Sequence, residues 1–342
     1  MHGEKLVSRL LLHSSFNNTI EELNKVNVKL PKSSTPIQLD LQNFMFPPIG
    51  ELVTPLEEIS ATDLNPTNGG TLYENNTRCV AGYDESITRF SCLEGTAFLM
   101  SHSLVVVGDA DYFPISLLTF YFYTRSKEIT SNTKFIKYSS EPDMDSKKDF
   151  IRDKIEFLVE HTPHGSILLI DGPLIGGDVY TFMIRAIDKF LSKEIIPIFF
   201  VKNSTSNLVT NNIRELSGKF NSDMHWAYTF LEKGQRTNFF KYVDKNNPNN
   251  AKIFCYLKVF DQSPQRVEFH VDTFKKYYDE IESLMDLIYY LILVQGDPKN
   301  PQVRPIAIAE KYARDTLHLI ESNKLLQYTP LVPTMNQERF GW

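Results

Sequence analysis

Two short stretches of the chain are apolar at every position, a pattern that indicates strands covered on both faces. The first, residues 167–170, ends on Asp171, after which a Gly-Pro pair forces a turn; the second, residues 196–201, ends on Lys202. A helical pattern at 179–193 lies between them, so we expect two parallel strands joined by a helical crossover. In open α/β sheets, functional residues commonly lie at the carboxyl ends of the strands, which is where Asp171 lies. An aspartate at that position is also suited to cap the next helix.

Upstream, three runs rich in Val, Phe, Leu and Ile cover residues 79–84, 87–93 and 97–107. Turn residues at 84–86 and 94–95 break these runs, which predicts an antiparallel meander with Asp84 at the end of its first strand. An aromatic stretch at 112–123 and a charged loop at 139–148 follow, and then a helical stripe at 150–160. A meander followed by helix, strand, helix and strand is the element order of an α/β fold with an RNase H-like mixed sheet flanked by helices.

The rest of the chain predicts an N-terminal extension and further elements of the main domain. Residues 1–75 combine a short amphipathic helix with irregular, proline-rich sequence, and we expect this extension to serve in assembly or partner contacts. Residues 76–342 form the α/β domain. Beyond Lys202 the pattern predicts a helix at 207–217, strands at 252–260 and 266–271, a long helix at 274–295 and a last helix near 306–326.

Composition limits where a nucleic acid can bind. The chain has 342 residues, and 36 Lys+Arg against 42 Asp+Glu leave a formal net charge of −6. Because no global positive field attracts DNA, a DNA contact needs a local cleft or a basic partner. Three widely spaced cysteines without a C-x-x-C pair favour a reducing cytoplasm. No apolar stretch reaches the roughly 20 residues of a membrane span, so we expect a soluble cytoplasmic protein without membrane contact.

Asp84, Glu156 and Asp171 are candidate metal ligands, because two of them end central strands and Glu156 lies on the helix between them in sequence. Like charges raise one another's pKa, so such a cluster is kept mainly where a divalent cation neutralises it. Carboxylates suit Mg²⁺ or Mn²⁺, and two such ions hold the attacking water and the leaving oxygen of a phosphodiester displacement. The hypothesis requires Glu156 on the same side of the sheet as the aspartates. Spacing alone does not exclude Asp109 or Asp111 as the strand-end acid in place of Asp84. It also does not exclude a small-molecule phosphohydrolase as the function.

Three stretches that carry these acids resemble the motifs of the NurA family, prokaryotic nucleases that work with the HerA translocase in DNA end processing. CVAGYDES is similar to the family's first motif and contains Asp84. RDKIE is similar to its helical R-x-x-x-E and ends on Glu156, and LLIDGPL matches the third motif at Asp171.

Further similarity extends the resemblance over residues 78–320. FFVKNS is similar to the family strand that bears Lys202, and SDMHWAYTFLEKGQRT resembles a stretch that contains Asp223 and Arg236. PQRVEFHV resembles a late strand on the active-site side.

The resemblance implies an RNase H-like fold and a Mn²⁺-dependent (or Mg²⁺-dependent) nuclease. The implied activity is 5′→3′ exonuclease together with endonuclease action on single strands, in DNA end resection, repair and homologous recombination. Asp84, Glu156 and Asp171 would bind the metal and be catalytic, and Lys202 and Arg236 would contact DNA. The implied assembly is a homodimer around single- or double-stranded DNA, docked on a hexameric HerA-type helicase.

Two departures from the family pattern support a rival of another class. The first motif has Glu85 where the family has glycine, which adds a charge beside the expected metal. Near the C-terminus the family has Tyr-Pro and then Ala-His or Ala-Asp, whereas Arg304 precedes the proline here and Tyr312 stands at the acidic or histidine position. Glu310 or Asp315 would substitute if the alignment shifts. Without a substitute, the chain would be a weakened or inactive DNA clamp, or an assembly subunit of a translocase.

Overall fold

The computed structural model describes residues 52–75, 78–108, 111–127, 129, 136–175, 181–245, 248, 250–318 and 331–334. The helix predicted near the N-terminus lies outside these residues. The strands are β1 (Leu52–Pro55), β2 (Ala61–Asp63), β3 (Val80–Cys92), β4 (Gly95–Val107), β5 (Tyr112–Thr124), β6 (Ile136–Tyr138), β7 (Ile167–Asp171), β8 (Ile196–Val201), β9 (Gln235–Thr237), β10 (Phe240–Val243), β11 (Ala251–Lys258) and β12 (Gln265–His270). The α-helices are α1 (Pro66–Asn75), α2 (Pro142–His161), α3 (Thr181–Ile184), α4 (Ile187–Ser192), α5 (Leu208–Asn212), α6 (Asp223–Phe230), α7 (Val271–Lys276), α8 (Ile281–Gln295) and α9 (Arg304–His318).

The described strands form one mixed sheet, in the order β1-β10-β11-β12-β8-β7-β3-β4-β5-β6, with β9 and β2 continuing from β11. β3, β4 and β5 are an antiparallel meander. β7 pairs parallel to β3, and β8 pairs parallel to β7. The predicted RNase H-like mixed sheet flanked by helices is therefore confirmed. Beyond β8, the antiparallel strands β12, β11 and β10 widen the sheet.

The meander differs from the predicted one because β3 is a single long strand. The turn expected at Asp84-Glu85-Ser86 is wrong, since these residues pair with Ser103, His102 and Ser101 of β4. The ladder between β3 and β4 continues without interruption from Ala81 to Cys92, and pairing with a neighbouring strand overrides local turn propensity. Asp84 therefore lies inside a strand and not at its end.

Two other stretches are more regular than the sequence indicated. The charged loop expected at 139–148 is largely the first two turns of α2, which begins with Pro142 at a position that needs no backbone N–H donor. Within the N-terminal extension, β1 pairs with β10 and β2 pairs with β9. α1 packs against α8. The described end of the extension thus belongs to the sheet and its helical layer.

The sheet separates two apolar layers, which we name by the helix that covers each side of β3. On the α2 face, Tyr83 and Ile170 pack with Phe157 of α2. On the α9 face, Val80 and Leu169 of β3 and β7 share a core with α8 and the start of α9. Among the described residues, no helix is both long and apolar enough to cross a bilayer.

Gly82 of β3 lets α9 approach the sheet closely. A Cβ atom at this position would lie 2.4 Å from the carbonyl carbon of Pro305 and 2.6 Å from the backbone nitrogen of Ile306. These are backbone atoms of the first turn of α9, which cannot rotate aside as a side chain can. The absence of a side chain at Gly82 therefore sets the position of α9 on the sheet.

We expect Gly82→Ala to destabilise the protein by roughly 2 kcal/mol or more, because overpacking against fixed backbone costs on the order of 1–3 kcal/mol. Gly70→Ala is the matched control, since Gly70 lies in a helix and an added Cβ would meet only the ring of Tyr290, at 3.0 Å. There the better helix propensity of alanine offsets a small side-chain shift. Urea unfolding measures both variants. Equal stability of the two would contradict the close packing described for α9.

Candidate active site

Asp84 and Asp171 lie side by side on neighbouring parallel strands. The register aligns Val80 with Ile167 and Tyr83 with Ile170, and each strand then continues by one residue to its aspartate. Because side chains alternate along a strand, and Tyr83 and Ile170 point to the α2 face, both aspartates point to the α9 face. The topology thus joins two acids that are far apart in the sequence.

Asp84 is buried, with 8% of its surface exposed. Its carboxylate accepts a hydrogen bond of 2.8 Å from the backbone N–H of Glu85. Burial, with the negative charge of Asp171 as the second cause, nevertheless raises the pKa of Asp84 to about 7. One side of the site therefore holds an acid that titrates near neutrality, which is common where catalysis needs a tuned group.

Lys202 lies between Asp171 of β7 and Glu310 of α9. It directly follows β8, and its ammonium nitrogen lies 2.5 Å from Oδ2 of Asp171. The same nitrogen is 3.7 Å from Oε2 of Glu310 on α9. The predicted strand-end lysine is therefore beside an aspartate, and a third carboxylate faces it from the helix.

Glu310 is held in place by its own helix and the turn before it. Its Oε1 accepts from the guanidinium of Arg314 at 2.7 Å, and its Oε2 accepts from the side-chain amide of Gln302 at 3.2 Å. Tyr312, which the motif comparison had matched to the family's histidine or aspartate, is 41% exposed, and Asp315 is exposed as well. Of these three residues, Glu310 is the one that lies beside Lys202.

A periodicity signal for Glu310 was present in the sequence. Ile306, Ala309 and Ala313 are buried against the sheet, and residues three and four apart lie on the same side of a helix. Glu310 is four residues after Ile306 and three before Ala313, so it belongs beside this inward stripe. Tyr312 is likewise three residues from the buried Ala309, so helical spacing alone does not separate the two. The contact of Glu310 with Lys202 does.

Glu156 is not brought to the aspartates. Its side chain is exposed on α2, and the neighbouring Phe157 packs onto the α2 face with Tyr83. The aspartates point to the other face. The hypothesis of three acids around one cation, which required Glu156 on the same side of the sheet as Asp84 and Asp171, is therefore wrong, because α2 covers the opposite layer. What remains of it is the pair of aspartates.

Glu85, the departure from the first motif, also points to the α2 face. Its carboxylate is 2.8 Å from the ammonium nitrogen of Lys154 on α2, so its charge is neutralised on the side of the sheet away from Lys202. The glutamate in place of glycine thus adds no side chain to the α9 face.

Arg236 and Asp223 are structural in this fold. Arg236 is 4% exposed, with both carboxylate oxygens of Glu282 at 2.5 Å from its guanidinium and the ring of Phe239 beneath it. It lies on β9, four strand positions from β7, which is roughly 19 Å at the usual strand spacing. Asp223 is fully buried and accepts hydrogen bonds from the backbone of Val209 and from the hydroxyl of Tyr256. The predicted DNA contact by Arg236 has no support in this geometry.

The turn after Asp171 is fixed from a distant strand. Glu268 of β12 is fully buried and accepts the backbone N–H of Leu174 at 2.9 Å. Burial alone would raise the pKa of Glu268, but Lys252 and Arg266, each 2.7 Å away, hold it below its usual value. The resemblance of PQRVEFHV to a strand on the active-site side pointed to this region. The anchor itself was not predictable, because it depends on which strand becomes the neighbour of β8.

The donor set suits a divalent cation only in part. Over the residues that the structure describes, no group of three or more His, Cys, Asp or Glu side chains is arranged to hold a metal ion. Asp84 and Asp171 do supply adjacent carboxylate oxygens, which are the ligands that Mg²⁺ and Mn²⁺ prefer. Glu310 is the nearest further acid on the α9 face, and the ammonium group of Lys202 lies between it and Asp171. The residues present therefore fit a divalent cation through the two aspartates, with Lys202 paired to one of them.

Comparisons with known proteins agree with this fold. A family model described as the NurA domain matches residues 119–315, which is more than half of the chain. The structure is similar to the NurA nuclease from Sulfolobus solfataricus, at 11% identity, 94% coverage of this chain, 99% of the other and a TM-score of 0.53. This likeness shows a shared fold. Among curated proteins, none matches the chain.

Two further solved structures are similar at lower scores. One is a NurA bound to dAMP and manganese, at 8% identity, 92% and 96% coverage and a TM-score of 0.42. The other is the Argonaute of A. aeolicus, at 14% identity, 75% and 30% coverage and a TM-score of 0.35.

We expect the stability of the metal-free protein to depend on pH through Asp84. The folded chain keeps this proton up to about pH 7, whereas an unfolded chain releases it near pH 4. The folded state is therefore penalised progressively as the pH rises from 4 to 7, and the penalty is complete above 7. Asp84→Asn removes this penalty. The free energy of unfolding of the variant should therefore exceed that of the wild type by on the order of 2–4 kcal/mol at pH 8 and equal it at pH 4.

Urea unfolding in EDTA at a series of pH values measures this difference. Asp279→Asn, at an exposed aspartate, is the control and should show no such pH dependence. A gap between wild type and Asp84→Asn that does not change between pH 4 and 8 would contradict the raised pKa.

Proposed function

The chain belongs to the NurA family, and on that premise we propose that it is a metal-dependent nuclease that hydrolyses phosphodiester bonds in DNA. The observation that carries the proposal is the side-by-side placement of Asp84 and Asp171 on neighbouring parallel strands. Two adjacent carboxylates repel each other, and a divalent cation is what most readily compensates that repulsion. Their place beside Lys202, whose side chain is 26% exposed, suits a phosphate substrate.

Each acidic or basic side chain of the site has a separate proposed role. Asp84 and Asp171 hold the cation with their carboxylate oxygens, and a cation bound there would acidify a water molecule and polarise the scissile phosphate. Lys202 supplies a positive charge for a non-bridging phosphate oxygen. Glu310 is the third acid, and it lies on the side of the site that α9 forms. Mn²⁺ is the cation we propose from family membership, with Mg²⁺ as the alternative.

A local basic surface supports DNA as the polymer, despite the net charge of −6. Arg304, Lys311 and Arg314 are exposed on α9, the helix that also carries Glu310. The guanidinium of Arg304 lies 5.5 Å above the ring of Tyr112. Backbone phosphates are held mainly by such arginine and lysine contacts. Arg304 and Lys311 therefore offer contacts for backbone phosphates near the site, whereas Arg314 is shared with Glu310.

The finer activities are proposed from family membership. They are 5′→3′ exonuclease and single-strand endonuclease action in DNA end resection, repair and homologous recombination. The proposed partner is a hexameric HerA-type helicase, and the proposed assembly is a homodimer around DNA.

We expect Asp171→Asn and Asp84→Asn to reduce cleavage of end-labelled DNA in Mn²⁺ by at least 100-fold, because each removes a charged ligand of the cation. Glu310→Gln should reduce it by roughly 10-fold or more, since the third acid is lost. Glu156→Gln is the matched control, because it is an exposed acid on the other face, and it should stay within about threefold of the wild type.

Circular dichroism of each variant checks that the fold is retained. Loss of activity in Glu156→Gln equal to that in Asp171→Asn would contradict the assignment of the site to the α9 face. A wild type that cleaves no DNA, even with its helicase partner, would instead identify the chain as a DNA clamp or assembly subunit.

We expect the full chain in solution to sediment as a dimer, at twice the 39.5 kDa of one chain. Analytical ultracentrifugation over a range of protein concentrations measures this. A single species at the monomer mass at all concentrations would contradict the proposed homodimer, and it would leave the proposed chemistry of Asp84 and Asp171 unaffected.

A further inference from the structure

Lys202 faces more negative charge than a phosphate-binding lysine needs. Its ammonium nitrogen is 2.5 Å from Asp171 and 3.7 Å from Glu310. Asp84 adds a third carboxyl group on the same face, next to Asp171. A single ammonium ion therefore lies among three acids that come from β3, β7 and α9.

A purely structural ion pair is the simpler explanation for this contact, and the surroundings of the lysine argue against it. Glu310 already has Arg314 and Gln302 as partners and does not need Lys202 to fix it. The side chains of Lys202, Asp171 and Glu310 keep 26%, 19% and 36% exposure, and ion pairs that reach solvent contribute little to stability. The lysine is thus close to the acids and still reaches solvent.

We propose that Lys202 is an internal competitor of the divalent cation: its ammonium group occupies the place between Asp171 and Glu310 in the metal-free protein and leaves when the cation binds. The inference rests on the proposed function, since it assumes a cation at Asp84 and Asp171. The displaced ammonium group then becomes free for a phosphate oxygen of the substrate. Metal binding and release of the lysine are one exchange, in which a doubly charged ion replaces a singly charged one.

The exchange has a consequence for affinity. A bound cation must overcome both the attraction of the lysine for the acids and the repulsion between two positive charges a few ångströms apart. Removing the lysine charge should therefore strengthen metal binding, although most substitutions beside a metal site weaken it. A lysine that merely anchors α9 would have the opposite effect, because its loss would loosen Glu310.

The test is a Mn²⁺ titration of the DNA-free protein by isothermal calorimetry. We expect Lys202→Met to bind Mn²⁺ at least tenfold more tightly than the wild type, and Lys202→Arg, which keeps the charge, to bind within about threefold of it. Lys154→Met is the matched control. Lys154 is also ion-paired, at 2.8 Å from Glu85, but on the α2 face, and its loss should leave the affinity unchanged.

Equal or weaker Mn²⁺ binding by Lys202→Met would overturn the inference. A second measurement on the wild type needs no variant to fold: with lysine labelled by ¹³C at Cε, titration with Mg²⁺ should shift the Lys202 signal to that of a solvated lysine. A Lys202 signal that stays unchanged at saturation would also overturn the inference. Failure of the proposed function is a separate result, in which the wild type binds Mn²⁺ no better than Asp171→Asn.

Discussion

The parallel pairing of β3 with β7 is the constraint on which the site depends. It places Asp84 and Asp171 next to each other on one face, where burial and their mutual repulsion oppose ionisation of Asp84. Hydrophobic packing on both sides of the two strands keeps this unfavourable pair together. The free energy of folding thus sustains a charge arrangement that an isolated peptide would avoid, which is how functional sites commonly retain strained electrostatics.

The α9 helix completes the arrangement from outside the sheet. Gly82 allows the first turn of α9 to lie directly on β3, and the helix then carries Glu310 to within 3.7 Å of the ammonium nitrogen of Lys202. Elements from three distant parts of the sequence therefore meet at one point. On this helix Glu310 is the acid that lies beside Lys202, whereas the motif resemblance had placed Tyr312 at the position of the family's histidine or aspartate.

The fold was predictable where the sequence pattern is local and long. The apolar runs at β7 and β8 are buried on both faces, and such runs indicate central parallel strands without knowledge of their neighbours. Asp84 lies next to Asp171, as expected, although the turn proposed beside it was wrong, because this placement depends on strand pairing and not on a turn. Glu156 and Arg236 show what could not be predicted from the sequence. Residue type and motif spacing suggested roles for both, but the face of α2 and the bond of Arg236 to Glu282 are set by tertiary packing, which single-sequence periodicity does not encode.

The buried hydrogen bond from Leu174 to Glu268 links the two halves of the sheet. A fragment that ended after β8 would contain every strand of the RNase H-like half and both aspartates, yet the turn following Asp171 would have lost its acceptor. Lys252 and Arg266, which compensate the charge of Glu268, would be missing from it too. The antiparallel half is therefore an integral scaffold of the acidic centre, and a fragment that keeps both the acceptor of this turn and Glu310 has to extend through β12 to α9.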